Sequence, residues 1–210
     1  SLQRLAQDLS VRSPDSRIAV ATLDFLSPGE IEALISRQAA AGPIDLAGIA
    51  HGSLPAQQDC PRDLSSAQDA LTLHGVSPAL FAESLASAME RAGSGTLVLL
   101  GSVAGDRGRK SNYVYGAAKG LLERYAQGLQ HRLAGSAVRV CLVKPGPTRT
   151  PMTAHLLDSG LPLADVAVVA DSIVKGVGKG KPVIYAPGKW SLIMLVIRHL
   201  PRRVFNRLDI

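Results

Sequence analysis

Short apolar runs alternate with helical patterns along this sequence, and no hairpin turn signal joins two of the runs directly. The runs occupy residues 17–24, 44–50, 96–100, 138–143 and 182–186. Two parallel strands need a long crossover connection, and a helix usually provides it. The alternation therefore predicts an α/β fold, in which helices cover both faces of a doubly wound, Rossmann-like parallel sheet.

Helical patterns fill the segments between these runs. Residues 2–9 follow a helical period, and Ser27-Pro28-Gly29-Glu30 has the capping serine, first-turn proline and reach-back glutamate of a helix that runs to about Ala41. Further helices are predicted over residues 65–74, 79–92, 115–129 and 165–177. The pattern leaves open whether the second of these continues the first or restarts after Ser77-Pro78.

Composition limits the class of protein. With 210 residues and 46% apolar content, the chain is expected to form a single domain over 1–210, in which 189–210 is a basic and apolar tail. No apolar run approaches the roughly 20 residues that cross a bilayer, and no signal-peptide core follows Ser1, so a cytoplasmic location is expected. Cys60 and Cys141 are predicted to be free thiols.

The chain is basic, but its composition argues against nucleic acid as a partner. The formal net charge is +6, but only 4% of residues are aromatic and no nucleic-acid-binding module is evident. The basic residues concentrate after residue 170. An anionic small molecule or a membrane surface fits this distribution better.

Three polar side chains converge on one predicted sheet edge. Ser102 follows the 96–100 run, at the carboxyl end where open α/β sheets hold ligands. Tyr115 and Lys119 lie four residues apart, on one face of the next helix. A phenol has a reference pKa near 10, and an ammonium nearby favours its phenolate, so Tyr115 can exchange a proton with a carbonyl oxygen. Taken alone, Tyr-x-x-x-Lys indicates only a solvent-exposed pair; its placement after Ser102 favours catalysis.

These residues resemble the short-chain dehydrogenase/reductase family. Ser102, Tyr115 and Lys119 match its catalytic serine, tyrosine and lysine in type, order and spacing. Residues 145–150, Pro-Gly-Pro-Thr-Arg-Thr, look like the family's loop beside the nicotinamide. The resemblance implies a Rossmann-like fold, NAD or NADP as cofactor, and hydride transfer between a carbonyl and a secondary alcohol.

The resemblance also implies a set of cofactor contacts. Asp24 matches the acid that meets the adenine, and His51-Gly52 lies where the family usually has the end of Asn-Asn-Ala-Gly. His51 would stack beside the cofactor ribose, or would only cap its strand. The implied contacts are Asp24, Phe25, His51, Gly52, Tyr115, Lys119, Pro145, Gly146, Thr148 and Thr150.

The sequence departs from the family at two further points. No glycine-rich phosphate loop opens a helix after a strand, and the glycines of 176–180 follow a helix instead, so they predict a helix end and a turn. We therefore expect the sequence to lack roughly the first βαβ unit, about 35 to 40 residues. His74 falls where the family has a fourth catalytic residue, an asparagine. It would hold a proton-relay water, or would be only a helix-end histidine.

The tail has two interpretations. Residues 189–203 form a tryptophan-led apolar run with basic residues behind it, as in an interfacial anchor on anionic lipid. The alternative is a buried helix that lines the substrate pocket or contacts a second copy. Together with residues 105–115, the tail is similar to bacterial reductases of polyprenyl-phosphate-linked keto-sugars. That similarity implies a lipid-linked substrate and a peripheral position at the inner membrane face.

The leading hypothesis is thus an NAD(P)-dependent oxidoreductase with Tyr115 as its acid/base. The alternative is a non-catalytic or cofactor-free relic that acts as a binding protein, for which the missing phosphate loop and His74 argue. A serine hydrolase is disfavoured because residues 101–105 lack the G-x-S-x-G spacing. The family implies a homodimer or homotetramer, and the sequence contains no metal-ligand spacing.

Overall fold

Four parallel strands form one sheet in the computed structural model, which describes residues 2–54, 57–154, 160 and 162–208. The strands are β1 (Leu46–Ile49), β2 (Gly95–Leu100), β3 (Val138–Pro145) and β4 (Val183–Ala186). They lie in the order β1-β2-β3-β4, and each neighbouring pair is parallel. The predicted parallel α/β architecture is confirmed.

Helices precede the sheet, connect its strands and follow its last strand. They are α1 (Leu2–Arg12), α2 (Pro28–Ala41), α3 (Leu64–Leu71), α4 (Ser77–Ala92), α5 (Tyr113–Arg132), α6 (Val166–Gly178), α7 (Lys189–His199) and α8 (Arg202–Phe205). A π-helical turn, Thr72–Val76, joins α3 to α4 without a gap, so the segment that the sequence left open is one continuous helix. The glycine-rich segment 176–180 ends α6, as predicted.

The sheet is covered on both faces, which explains why its strands are almost uniformly apolar. On one face, Leu97 and Leu99 belong to a core that includes residues of α2, α4 and α5. On the other face, Val98 and Val143 pack with Val169 of α6. Cys60 and Cys141 are both buried, and no disulfide bond joins them, as predicted.

Residues 17–24, predicted as a strand, do not form one. A strand is stable only when its backbone groups pair, and β1 is the edge of the sheet formed by the described residues. Asp24 therefore lies in a turn before α2, where its backbone N–H donates to the Glu30 carboxylate at 2.8 Å. The predicted helix cap is also changed. Glu30 accepts from the Asp24 N–H and not from the Ser27 N–H, which donates to the Asp24 carbonyl instead.

Candidate active site

A cavity of about 410 Å³ gathers most of the predicted site residues beside the carboxyl ends of the strands. Its lining includes the three proposed catalytic residues, the 145–150 loop and two histidines. The predicted residues found there are His51, Gly52, His74, Ser102, Tyr115, Lys119, Pro145, Gly146, Thr148 and Thr150.

Asp24 and Phe25 do not line this cavity. Asp24 is exposed, and its carboxylate accepts a hydrogen bond from the Leu26 N–H at 2.9 Å. The Phe25 ring packs instead against His51, with 4.7 Å between ring centroids. The predicted contact of these two residues with a cofactor therefore stays a prediction.

Two glycines allow α5 to lie close to the segment that follows Ser102. A Cβ atom at Gly116 of α5 would lie 2.8 Å from the Ala104 carbonyl oxygen. A Cβ atom at Gly105 would lie 2.9 Å from the backbone of Lys119. Larger residues would push α5 away from the 3₁₀ turn Val103–Gly105, which follows Ser102. This role was not predicted from the sequence, although a glycine inside a helical pattern was the available signal.

The proposed catalytic residues are held from different elements. Ser102 caps the 3₁₀ turn, because its hydroxyl accepts from the Ala104 N–H at 3.1 Å. Lys119 is buried and donates from Nζ to the Leu100 carbonyl at 2.8 Å, which ties α5 to the end of β2. Nζ lies 5.8 Å from the centroid of the Tyr115 ring.

Burial is the largest influence on the pKa values of Tyr115 and Lys119. It raises the pKa of Tyr115, and the nearby Ser102 hydroxyl has a smaller, opposite effect. Burial also lowers the pKa of Lys119 to about 8. The pKa of Tyr115 is therefore raised overall, and not lowered as expected from Lys119 alone. The ammonium is itself desolvated, and it donates to a backbone carbonyl.

His74 lies in the π-helical turn and is 1% exposed. Its ring packs edge-on against Tyr115, with 5.2 Å between centroids, and its Nε2 lies 3.4 Å from the Ser53 hydroxyl. Its Nδ1 is buried without a hydrogen-bond partner in the described structure. Burial, then Lys119 and His51, lower the pKa of His74 to about 4, so the ring is neutral near pH 7. The helix-end interpretation was wrong, because the helix continues through this residue.

His51 is anchored to α4. Its Nε2 lies 2.9 Å from the Ser77 hydroxyl, which donates its own proton to the Phe25 carbonyl. His51 therefore carries its proton on Nε2. Burial, and secondarily Lys119, lower the pKa of His51. The histidine does more than cap β1, because it lines the cavity as well.

The loop after β3 is fixed by β4 and by the tail. Gly146 N–H donates to the Ala186 carbonyl at 3.0 Å, and Thr148 donates to the Gly146 carbonyl at 2.9 Å. A Cβ atom at Gly146 would overlap the Trp190 ring, so only glycine fits there. In the described structure no residue beyond Ile173 lines the cavity, and thus the interpretation of the tail as a pocket-lining helix was wrong.

Two groups of polar residues near the site were not predicted. The first is a buried ion cluster in which Lys144 contacts Asp106 and Glu123, and Tyr185 donates to Asp106 at 2.8 Å. The second is Arg109 with Asn112, both in the cavity lining. No sequence pattern indicates either group. The ion cluster depends on partners that are distant along the chain, and the role of Arg109 and Asn112 depends on their burial in the fold.

Comparison with known sequences gives consistent matches. A family profile described as short chain dehydrogenase matches residues 1–159. An uncharacterized oxidoreductase of Streptomyces coelicolor is 33% identical over 217 residues, covering 99% of this chain and 81% of that protein. An uncharacterized oxidoreductase of Mycobacterium tuberculosis H37Rv is 35% identical over 167 residues, covering 80% of this chain and 67% of that protein.

Solved structures share the fold. A short chain dehydrogenase from Burkholderia cenocepacia, in complex with NADP, superposes with a TM-score of 0.78 at 19% identity, over 90% of this chain and 78% of that one. A 3-oxoacyl-[acyl-carrier protein] reductase from Brucella melitensis, in complex with NAD, gives 0.76 at 22% identity, over 90% and 83%. At these identities the likeness establishes the fold alone.

Proposed function

This chain belongs to the short-chain dehydrogenase family of oxidoreductases, and from that premise we propose that it interconverts a carbonyl and a secondary alcohol with NAD or NADP. One observation carries the proposal: Ser102, Tyr115 and Lys119 line the same cavity as the Pro145–Thr150 loop. A hydroxyl, a phenol and an ammonium in one cavity supply the proton chemistry of a carbonyl reduction.

The residues take separate roles. Tyr115 gives its proton to the carbonyl oxygen during reduction and takes it back during oxidation. Ser102 hydrogen-bonds that oxygen and orients it. Lys119 offsets the negative charge of the phenolate, which would otherwise be costly in a site where burial raises the pKa of Tyr115. When bound, a nicotinamide dinucleotide supplies or accepts the hydride.

The residues present fit the nicotinamide end of such a cofactor. Lys119, His51-Gly52 and the two threonines of the 145–150 loop bring hydrogen-bonding groups to one cavity. The described residues include no glycine-rich phosphate cradle of the kind that usually binds the pyrophosphate. We assign the ribose to Lys119 and the carboxamide and phosphates to Thr148 and Thr150.

His74 is proposed as a proton-relay group behind Tyr115. Its neutral ring packs against the phenol, and its unpartnered Nδ1 offers a hydrogen-bonding site for a water molecule. A neutral imidazole can both accept and donate a proton, whereas the asparagine of the family pattern can only orient a water molecule.

We further propose that the tail contacts an anionic membrane surface. Its exposed apolar residues are Leu192, Ile193, Leu195, Val196, Val204 and Leu208. Its cations are Lys189, Arg198, Arg202, Arg203 and Arg207, and residues 189–208 contain no acid. A two-fold symmetric dimer contact would place this positive surface against the same surface of a second copy, whereas anionic lipid has the complementary charge. Within the described ranges, no helix has the length and apolar character needed to span a bilayer.

Arg107 connects this tail to the catalytic segment. Its guanidinium donates to the carbonyls of Ile197 and Leu200, at 2.5 and 2.8 Å, and lies 3.7 Å from the Phe205 ring centroid. Because Arg107 follows Ser102 by five residues, a tail docked on lipid would hold the site near the membrane. A lipid-linked substrate, which the narrower family resemblance predicts, would be reached there.

The membrane contact is tested by co-sedimentation with vesicles. Wild-type protein should sediment with phosphatidylglycerol vesicles and not with pure phosphatidylcholine, and L192Q/L195Q should lose this binding. Leu64→Gln, at an exposed leucine outside the tail, is the control and should bind normally. Equal binding to both vesicles, or a dimer that L192Q/L195Q disrupts, would contradict the proposal.

The enzymatic proposal is tested by titration with NADPH and NADH, using protein that carries any segment preceding Ser1. Saturable binding, followed by oxidation of the reduced dinucleotide when carbonyl compounds are added, is the expected result. Absence of saturable binding to either dinucleotide would favour the alternative of a cofactor-free relic. A dinucleotide preference would also decide between NAD and NADP.

A further inference from the structure

The catalytic cavity contains a second cation that the proposed mechanism does not use. Arg109 lines the cavity on the segment that connects Ser102 to Tyr115. Its guanidinium is partly withdrawn from water, and its Nε is buried without a hydrogen-bond partner in the described structure. Lys119, the other cation of the lining, differs because it donates to the Leu100 carbonyl.

No carboxylate of a described residue compensates this charge. The described residues that line the cavity include neither aspartate nor glutamate. None of the ion pairs between described residues involves Arg109. Burial lowers the pKa of Arg109, and within the described part of the chain no acidic neighbour offsets that effect. A guanidinium withdrawn from water without a counter-charge costs free energy, which a bound anion recovers.

Asn112 supplies a second polar group to the same wall. An asparagine that precedes a helix normally accepts a hydrogen bond from one of its first N–H groups. Here the Val114 N–H of α5 donates instead to the Gln57 side chain, at 3.0 Å. The Asn112 side chain makes no capping bond, and its Oδ1 is buried without a partner in the described structure. A donor and an acceptor are thus both unsatisfied in one cavity wall.

We propose that Arg109 and Asn112 form a recognition site for an oxyanion of the substrate, a carboxylate or a phosphate. The inference rests on the proposed function, because it places this group on the molecule whose carbonyl meets Tyr115. Arg109 pairs with two oxygens of the anion, in the geometry that a guanidinium favours. Asn112 Oδ1 accepts a hydrogen bond from a donor group of the substrate beside the anion, such as a hydroxyl. The cofactor phosphates are the other source of an oxyanion. The substrate is favoured because Arg109 lies on the Tyr115 segment and not on the 145–150 loop.

Two matched pairs of probes test the proposal. One pair is 4-oxocyclohexanecarboxylate and its methyl ester, and the other is dihydroxyacetone phosphate and dihydroxyacetone. Binding is measured by calorimetry at pH 7 and low ionic strength, without dinucleotide. Wild-type protein should bind at least one anion roughly tenfold more tightly than its neutral partner, as expected for a charged hydrogen bond. The pair with the larger ratio of anionic to neutral affinity shows whether the site prefers a carboxylate or a phosphate.

Variants assign the preference to the guanidinium. Arg109→Gln should abolish the preference for the anion, and Arg109→Lys should retain part of it. Arg124→Gln, at an exposed arginine of α5 outside the cavity, is the control and should keep the full ratio. Equal binding of anionic and neutral probes by wild type would overturn the proposal, as would an unchanged ratio in Arg109→Gln.

A thermal scan and a dinucleotide titration complete the test. Arg109→Gln should melt at or above the wild-type temperature in anion-free buffer, because it removes an uncompensated charge. NADPH affinity should be unchanged in Arg109→Gln; a tenfold loss there, with the probe preference intact, would place the guanidinium in the cofactor site and overturn the proposal. The probe measurements need no turnover, so their failure is distinguishable from failure of the proposed function.

Discussion

Lys144 Nζ lies 2.5 Å from Asp106 Oδ1, in an ion pair that joins the end of β3 to the segment after Ser102. The same ammonium lies 2.6 Å from a Glu123 carboxylate oxygen on α5. All three side chains are almost entirely buried. The cluster therefore holds together the three elements that carry the 145–150 loop, Ser102 and Tyr115.

Replacement of Lys144 should destabilise the fold. Lys144→Met leaves two buried carboxylates without their cation, and breaking a buried pair in this way typically costs about 3–5 kcal/mol. Chemical denaturation followed by circular dichroism measures the loss. Lys181→Met, at an exposed lysine, is the matched control and should change stability by less than about 0.5 kcal/mol. Equal effects of the two substitutions would show that the cluster does not stabilise the protein.

Two glycines of α5 should respond in opposite directions to alanine. Gly116→Ala places a methyl group 2.8 Å from the Ala104 carbonyl oxygen, so we expect a loss of about 1–3 kcal/mol together with reduced turnover. Gly128→Ala meets no atom within 4 Å and should gain up to about 1 kcal/mol from helix propensity. Denaturation curves of both variants provide the comparison. A stabilised Gly116→Ala with full turnover would mean that the close approach is not needed.

His74 should make stability depend on pH. Its pKa is about 4 in the folded protein, against about 6.5 in the unfolded chain, so the unfolded state binds more protons between these values. Wild-type stability should therefore fall by about 3 kcal/mol, relative to His74→Asn, as the pH drops from 7 to 4. His131→Asn, at an exposed histidine, should keep the wild-type slope. Parallel slopes for wild type and His74→Asn would contradict burial of a neutral His74.

The sequence predicted the sheet better than it predicted the site's surroundings. Alternating strands and helices are a local pattern, and they led correctly to the parallel order. The predicted strand over residues 17–24 was wrong, because a strand needs a neighbouring strand to pair with and a local sequence pattern does not reveal one. Type and spacing sufficed to predict that Ser102, Tyr115 and Lys119 share one cavity, and their catalytic role stays a proposal. Arg109 and Lys144 were missed because their roles depend on burial and on partners far along the chain.

The central claim is that Tyr115 exchanges the proton with the substrate oxygen, and Tyr115→Phe tests it most directly. The control is Tyr113→Phe, at an exposed tyrosine two residues away that does not line the cavity. Once a carbonyl substrate is found, kcat should fall at least about 100-fold in Tyr115→Phe, with the melting temperature retained. Tyr113→Phe should keep wild-type kcat. A Tyr115→Phe variant that turns over at a near-wild-type rate would contradict the account.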